Sequence, residues 1–270
     1  MDTTSQTRKE APFFSVVIPL YNKEKNIGGT IGSVLNQTFS DFELIVVDDG
    51  STDRSAEIVS SIPDKRIRII RQSNSGVSEA RNNGIAHSKA DYIVLLDADD
   101  EWLPFHLSEM FSLVSDYGEV ADVFATNFTR RFSSGEIVQN RDDLQKGIVP
   151  NYFKAIRGGG VINSSCVCIS KEALLDVHGF NSKYTMGEDL DLWARLARRY
   201  KIAYSPTSSS IYNIGTPNNS CERKIDYSKD AAAVALNDVR CDIYDLRYSF
   251  VRYLKFIVKR AIGYHPSVRQ

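Results

Sequence analysis

Residues 91–100 read DYIVLLDADD: an unbroken apolar run from Tyr92 to Leu96 that ends in three carboxylates within four residues. A short run of this kind suits a strand covered on both faces, as in a buried parallel sheet. Three segments upstream resemble it. FFSVVIPLYN (13–22), FELIVVDD (42–49) and RIRII (66–70) are each apolar and rich in β-branched residues. Helical spacing fills the intervals: Ile27, Ile31, Val34 and Leu35 within 26–37, a short segment from Ser55 to Ile62, and a loop then helix over 73–90. In that third helix Val77, Ala80, Ile85 and Ala86 are the expected buried positions. Strand and helix thus alternate through four strands within the first hundred residues. Parallel strands joined by crossovers, with helices on both faces, are the α/β solution to that order.

In such sheets ligands gather outside the carboxyl ends of the strands. Three of the four strands finish there in polar groups: Tyr21 and Asn22, Asp48 and Asp49, and Asp97 to Asp100. That edge is the expected site. Beyond it the pattern is less regular. Leu103–Tyr117 reads as helix, DVFATNFTRRF (122–132) as a strand returning through SSGE, and 136–165 as loop with a Gly158–Gly160 run, mobile or closely packed. SKEALLDVHGF (170–180) reads as a helix capped by Ser170 and ended at Gly179, and 186–200 as a helix with Leu190, Trp193, Leu196 and Ala197 on one face.

The chain has 270 residues, is 42% hydrophobic and 25% charged, and carries a formal net charge of -1, so composition gives no case for a nucleic-acid partner. Its four cysteines, Cys166, Cys168, Cys221 and Cys241, lack the paired spacing of a structural zinc site. Residues 1–11 are polar, and no apolar stretch approaches the ~20 residues that span a bilayer. A cytoplasmic protein with reduced thiols is the expectation.

The acids at the strand ends carry the chemistry. Residues two apart on a strand face one way, which would let Asp97 and Asp99 converge. Converging carboxylates need a cation, a shared proton or full solvation. Hard divalent metals favour oxygen ligands, and Mg²⁺ often takes one or two carboxylates plus substrate phosphates. A solvated acidic loop or a helix cap accounts for the tetrad equally. In VVDDGSTD (46–53) capping uses one acid and leaves a second, which could accept from a base or a ribose. Arg81 is the candidate cation for the same edge, or a packing guanidinium. Glu188 and Asp189 open a helix, where acids favour the dipole; one of them could equally be a general base.

Taken together, PLYN (19–22), NQTFSDFELIVVDDGSTD (36–53), SGVSEARNNGI (75–85), LLDADD (95–100) and GEDLDLWARL (187–196) resemble the family 2 glycosyltransferases over residues 13–215. The resemblance implies a GT-A-type fold with a mostly parallel central sheet, a nucleotide-diphosphate sugar donor (UDP above all), and a divalent metal, Mn²⁺ or Mg²⁺. It implies an inverting transfer to a glycan or lipid-linked acceptor in cell-envelope polysaccharide or glycolipid synthesis. Pro19 and Tyr21 would line the nucleotide pocket, Asp49 would bond the base, and Arg81 would approach base or pyrophosphate. Asp97 and Asp99 would touch ribose and metal, with Asp100 as a substitute ligand and Asp99 preferred for the metal. Asp189 would be the general base, with Glu188 as its substitute. Relatives often carry a histidine near residues 205–220; none occurs between His178 and His265, leaving Asn213 or Ser220 for that place.

The implied organisation is a flexible arm (1–12), a catalytic domain (13–221) whose donor half is 13–105 and acceptor half 106–221, and a helical basic extension (222–270). RYSFVRYLKFIVKRAIG (247–263) contains no acid. Its basic stripe could lie on the inner face of an anionic membrane, or be the solvated side of a helix packed on the catalytic domain. Two rivals remain. A non-catalytic nucleotide-sugar-binding protein would not need a base at Asp189. A nucleotidyltransferase would want a Gly-rich basic loop after the first strand, which PLYN does not supply.

Overall fold

The computed structural model describes residues 11–215. Its first half follows the expected alternation: β1 (Phe14–Leu20), α1 (Ile27–Leu35), β2 (Phe42–Asp48), α2 (Ser55–Ser60), β3 (Ile67–Arg71), α3 (Val77–His87) and β4 (Tyr92–Leu95). β1 pairs in parallel with β2 and with β4, and β2 with β3, giving the order β3-β2-β1-β4. β1 and β2 are buried along their whole length because helices cover both faces. Val16, Ile18 and Leu20 pack under α1, while Val17 turns to the face that α3 covers. There α3 lies so close to β1 that a Cβ on Gly84 would stand 2.4 Å from Val17 Cγ1, so only glycine fits.

The second half comprises β5 (Glu101–Trp102), α4 (His106–Tyr117), β6 (Val123–Phe132), β7 (Ile137–Gln139), β8 (Gly147–Ile148), α5 (Tyr152–Ala155), β9 (Val167–Ser170), α6 (Lys171–Asp176), α7 (Glu188–Arg199) and β10 (Ile202–Ile214). It extends the same sheet as β4-β9-β6-β10-β5. β9 joins β4 and β6 in antiparallel fashion, β6 and β10 run parallel, and β5 closes the edge antiparallel to β10. One mixed sheet therefore carries both halves, with separate apolar layers on its two faces.

Pro19 marks where the sheet opens. The β1–β4 register ends at Val17 and Leu95, whereas β1 continues beside β2 to Leu20. Val17 turns its carbonyl to Leu96 N, and Leu20 turns its own to Asp49 N on the other side. By strand alternation the donor that proline lacks falls on the β4 side, past the end of the ladder, where no sheet bond is lost. Sequence neighbours leave β1 to one side and approach it from the other here, so a crevice forms at the switch point.

Several local expectations need correction. α4 starts at His106 rather than Leu103, because Leu103 N still bonds Ser209 O of β10 and Pro104 disfavours helix before it. In α3 the buried set is Ser78, Ala80, Arg81, Gly84 and Ile85, while Ala86 faces solvent. In α7 Leu192 is buried with Trp193 and Leu196, and Leu190 and Ala197 are only partly covered. Ser170 does cap α6, accepting from Ala173 N at 3.2 Å, but that helix ends at Asp176, before His178 and Gly179, both at φ 61°. The glycine run is tied by hydrogen bonds, Gly159 O and Gly160 O accepting from the Arg141 and Asn140 side chains, while Gly158 and Gly160 stay exposed.

Candidate functional site

The crevice is built from three turns. The first follows β1. Asn22, at φ 51°, accepts from Thr52 N at 2.8 Å through its side chain and donates its backbone N–H to Ser51 Oγ at 3.1 Å. Lys23 N donates to the buried Ser55 Oγ at 2.7 Å, and Glu24 N to Asp53 Oδ2 at 3.1 Å. Burial works to raise the Asp53 carboxyl, but its hydrogen bonds from Ser55 and Glu24 win and hold it below the ordinary value. These bonds lock the PLYN turn onto the DDGST turn. Tyr21 stands exposed at the rim, while Pro19 is buried in β1.

The second turn is held by Asp49. Its Oδ1 accepts from Gln72 Nε2 and Ser75 N, both at 2.8 Å, and Oδ2 accepts from Gly76 N at 2.9 Å. Asp49 therefore fastens the loop that leads into α3. A carboxylate has about four acceptor sites, so three such bonds leave room for one further donor.

The third turn is Asp97-Ala98-Asp99-Asp100, and here the strand-alternation argument fails. β4 stops at Leu95, and a tight turn follows in which Asp100 N bonds Asp97 O at 3.1 Å. The three carboxylates consequently diverge onto three different partners. Asp97 Oδ1 accepts from Arg81 at 2.6 Å. Asp99 Oδ2 meets Lys23 Nζ at 2.6 Å. Asp100 is fully buried, with Oδ1 accepting from Asn213 N at 2.9 Å and Oδ2 from Ser165 Oγ. Burial, reinforced by Asp97 and Asp99, raises the Asp100 carboxyl well above its ordinary range. Further bonds fix the turn: Thr30 Oγ1 donates to Ala98 O at 3.0 Å, Asp97 N to Ser165 Oγ at 3.2 Å, and Asn213 Nδ2 to Asp99 O at 2.6 Å.

Arg81, expected to approach the base or pyrophosphate, is paired with two carboxylates. Its side chain is 4% exposed and lies beneath the crevice, with Nη2 on Asp97 and Nη1 on Glu188 Oε1 at 3.1 Å, above the Phe180 ring. Burial alone would lower its pKa; Asp97 and Glu188 reverse the sign and raise it. One guanidinium thus ties the Asp97 turn to the first turn of α7, 107 residues from Arg81 in sequence. Gly187 enters that helix at φ 73°, a left-handed position that favours glycine, and Asp189 stands in the same first turn as Glu188. Asp189 adds to the field that raises Arg81.

The donor chemistry suits a hard divalent cation in part. Among the described residues no group of three or more His, Cys, Asp or Glu side chains could hold a metal by itself. Mg²⁺ and its like need only one or two carboxylates when phosphates and waters complete the shell. Asp97 and Asp99, with side chains 29% and 13% exposed, present oxygens to the crevice. Asp100 does not: its two oxygens already accept bonds inside the protein. Asn213, considered for the place of a missing histidine, divides its groups among Asp99, Asp100 and Arg131. Ser220 and the whole 222–270 extension lie outside the described residues.

Two participants escaped sequence reasoning. Lys23 directly follows the PLYN turn, so a cation beside a strand-end acid was there to be noticed. Ser165 carries no local signal, since its role arises only when β9 pairs with β4. No helix among the described residues is long and apolar enough to cross a membrane.

Comparison with known proteins identifies the family and the fold. The sequence pattern described as glycosyl transferase family 2 matches residues 15–174, more than half of the chain. Glycosyltransferase GlyG of Streptococcus pneumoniae is 43% identical over 93% of this chain and 89% of its own length. UDP-Glc:alpha-D-GlcNAc-diphosphoundecaprenol beta-1,3-glucosyltransferase WfgD of Escherichia coli is 27% identical over 70% of this chain and 71% of its own. With the Bacillus subtilis glycosyltransferases EpsJ and EpsH the match spans only 31% and 50% of those proteins. Among solved structures, S. aureus TarS 1-349 in complex with UDP-GlcNAc superposes with a TM-score of 0.74 over 95% of this chain and 76% of that one, at 20% identity, which speaks for the fold. The chain belongs to glycosyl transferase family 2, a transferase on the GT-A-type fold.

Proposed function

We propose that the chain moves a sugar from a UDP-linked donor to a hydroxyl of a glycan or lipid-linked acceptor, inverting the anomeric carbon. The observation that carries this reading is the Arg81 bridge, which couples the acids at the end of β4 to those at the start of α7. A donor seated on the first pair would then lie close to a base on the second. WfgD, named for a UDP-glucose donor and a diphosphoundecaprenol-linked acceptor, and TarS, crystallised with UDP-GlcNAc, support the choice of donor class. Catalysis is assigned to residues 13–221, donor half first. Residues 247–263 offer a basic segment suited to an anionic membrane that holds a lipid-linked acceptor.

In this scheme Pro19 and Tyr21 wall the base, and Asp49 gives its remaining acceptor site to a base N–H. Asp97 reaches the ribose, oriented by Arg81. A Mg²⁺ or Mn²⁺ ion on Asp99 would offset the charge that develops on the departing diphosphate. Asp189 removes the proton from the acceptor hydroxyl as its oxygen bonds to C1, while the C1–O bond to the diphosphate breaks on the opposite face. A single displacement needs one base and no carboxylate nucleophile. Glu188, held by Arg81, positions the helix start and is the less suited base.

The test is a panel of UDP-, GDP- and dTDP-sugars scored by thermal shift with and without Mn²⁺, because a donor that binds only the folded chain raises its apparent stability. A metal-dependent rise with one UDP-sugar is expected. No rise with any nucleotide sugar would refute the donor site.

A further inference from the structure

We infer that a cavity lined by Phe128, Arg130, Tyr152, Asn163, Leu190 and Tyr212 is the acceptor subsite, and that it selects a sugar bearing an anionic group, which Arg130 receives. The acceptor role rests on the transfer reading above. The cavity encloses about 330 Å³, the small end of the range for ligand pockets. None of its lining residues belongs to the donor crevice. Three of them nevertheless adjoin the crevice in sequence: Leu190 follows Asp189, Tyr212 precedes Asn213, and Asn163 stands two residues before Ser165. A sugar seated against Leu190 is thus next to the first turn of α7, where the assigned base stands.

Phe128 and Arg130 lie two apart on β6, and Tyr212 of β10 is the register partner of Arg130. The Phe128 and Tyr212 rings meet edge to face with centroids 6.4 Å apart, and the Arg130 guanidinium lies 5.8 Å from the Phe128 ring centre. Aromatic walls with one charged group are the usual make-up of a small-molecule pocket. Arg130 stands out by its missing counter-ion. Every other buried or half-buried arginine among the described residues pairs with a carboxylate, the adjacent Arg131 with Glu101 included. Arg130 gives one bond, from Nη2 to Asn140 Oδ1, and its charge meets no carboxylate among the described residues. Asn140 also donates Nδ2 to Gly160 O at 2.8 Å. The Arg141 side chain, 1% exposed, donates Nη1 to Ala155 O at 3.2 Å and Gly159 O at 3.0 Å. Adjacent residues thus hold both the cation and the glycine segment that lines the cavity beside it. A guanidinium offers five N–H donors in a fork that matches a phosphate or a carboxylate. A neutral hydroxyl would leave its charge unmatched, so an anionic group gains more there.

The experiment measures ligand affinity for the full chain by saturation-transfer NMR, with excess UDP and Mg²⁺ to occupy the donor crevice. The probes are glucose 1-phosphate, glucuronic acid, glucose and inorganic phosphate. At least one anionic sugar should bind about tenfold more tightly than glucose, as a charge-assisted bond would give. The tighter of the two tells a phosphate from a carboxylate. Arg130→Met should erase the preference, and Arg130→Lys should restore part of it by keeping the charge without the fork. Arg130→Gln serves in the same way if the methionine variant does not fold. A merely structural role for Arg130 would lower all affinities alike, so an unchanged ratio of anionic to neutral sugar in the variant overturns the inference. Equal binding of glucose and both anionic sugars overturns it as well. So does inorganic phosphate bound as tightly as glucose 1-phosphate, since the sugar would then contribute nothing. The donor site is read separately by the UDP-sugar thermal shift. No shift there with an Arg130-dependent preference intact would remove the transfer reading and keep the anionic-sugar site.

Discussion

The acids at the end of β4 and those at the start of α7 are held in opposite ways. The Asp97–Asp100 turn is fastened from α1 by Thr30, from α3 by Arg81, from the segment before β9 by Ser165 and from β10 by Asn213. The Glu188–Asp189 start is tied across the crevice through Arg81. The first arrangement suits a seat whose geometry must not vary. The second links a helix start to that seat through a buried guanidinium. What the pair teaches is that charge density alone does not identify a ligand site: the most enclosed acid, Asp100, is the one committed to internal bonds.

Four substitutions would break or sharpen that contrast. The largest effect is expected at the start of α7. Asp189→Asn should leave the donor thermal shift intact and lower the transfer rate by about 10²–10⁴-fold, the usual reach of a general base; initial rates at saturating donor decide it, and near-normal rates would move the base elsewhere. Next is Arg81→Met, which strips the shared cation from both ends. A loss of about 3 kcal/mol in unfolding free energy is expected, together with weaker donor binding, as read by urea titration and calorimetry. If only one end needed Arg81, donor affinity and transfer rate would separate.

Ser165→Ala acts on the locked end alone. It leaves Asp100 Oδ2 and Asp97 N without their buried partner, at a cost of about 1–2 kcal/mol, with Asp189-dependent chemistry otherwise preserved. Denaturant midpoints and kcat measured together check this. The smallest effect is a change of slope. Asp100 has a folded-state pKa above its unfolded one, so the cost of ionising it is absent below the ordinary carboxylate value and complete above the raised value. Relative to Asp100→Asn, the unaltered chain should lose stability as pH rises through that window. Parallel stability curves for the two proteins would contradict the assignment.

The first hundred residues were legible because β1 and β2 are buried throughout and α1 shows one apolar stripe, so sequence pattern and burial coincide there. β3, at the sheet edge, is only partly buried, and α3 buries Ser78, Arg81 and Gly84 beside Ala80 and Ile85. Pairing of β9 between β4 and β6 was not legible: VCIS (167–170) is four residues long and has no periodicity of its own. The acids of the site were legible as residue types at a strand end. Their separate fates were not, since Asp97, Asp99 and Asp100 are distinguished by Arg81, Lys23, Ser165 and Asn213, which arrive from distant parts of the chain. Arg81 illustrates the limit. Its spacing within α3 places it among buried positions, and a lone sequence favours exposure for a cation until its two carboxylate partners are known.

Pro19 has a thermodynamic consequence. Because β1 outruns β4 and closes its exposed side with a residue that has no N–H, the notch between them exists without any unmet donor. No sheet bond has to be broken for a flat ring to enter, and none would form to seal the gap when it leaves. Under the proposed scheme, binding free energy would not be spent on prying the strands apart, and a ligand would have to supply only the ordering of side chains at the rim, the exposed Tyr21 among them.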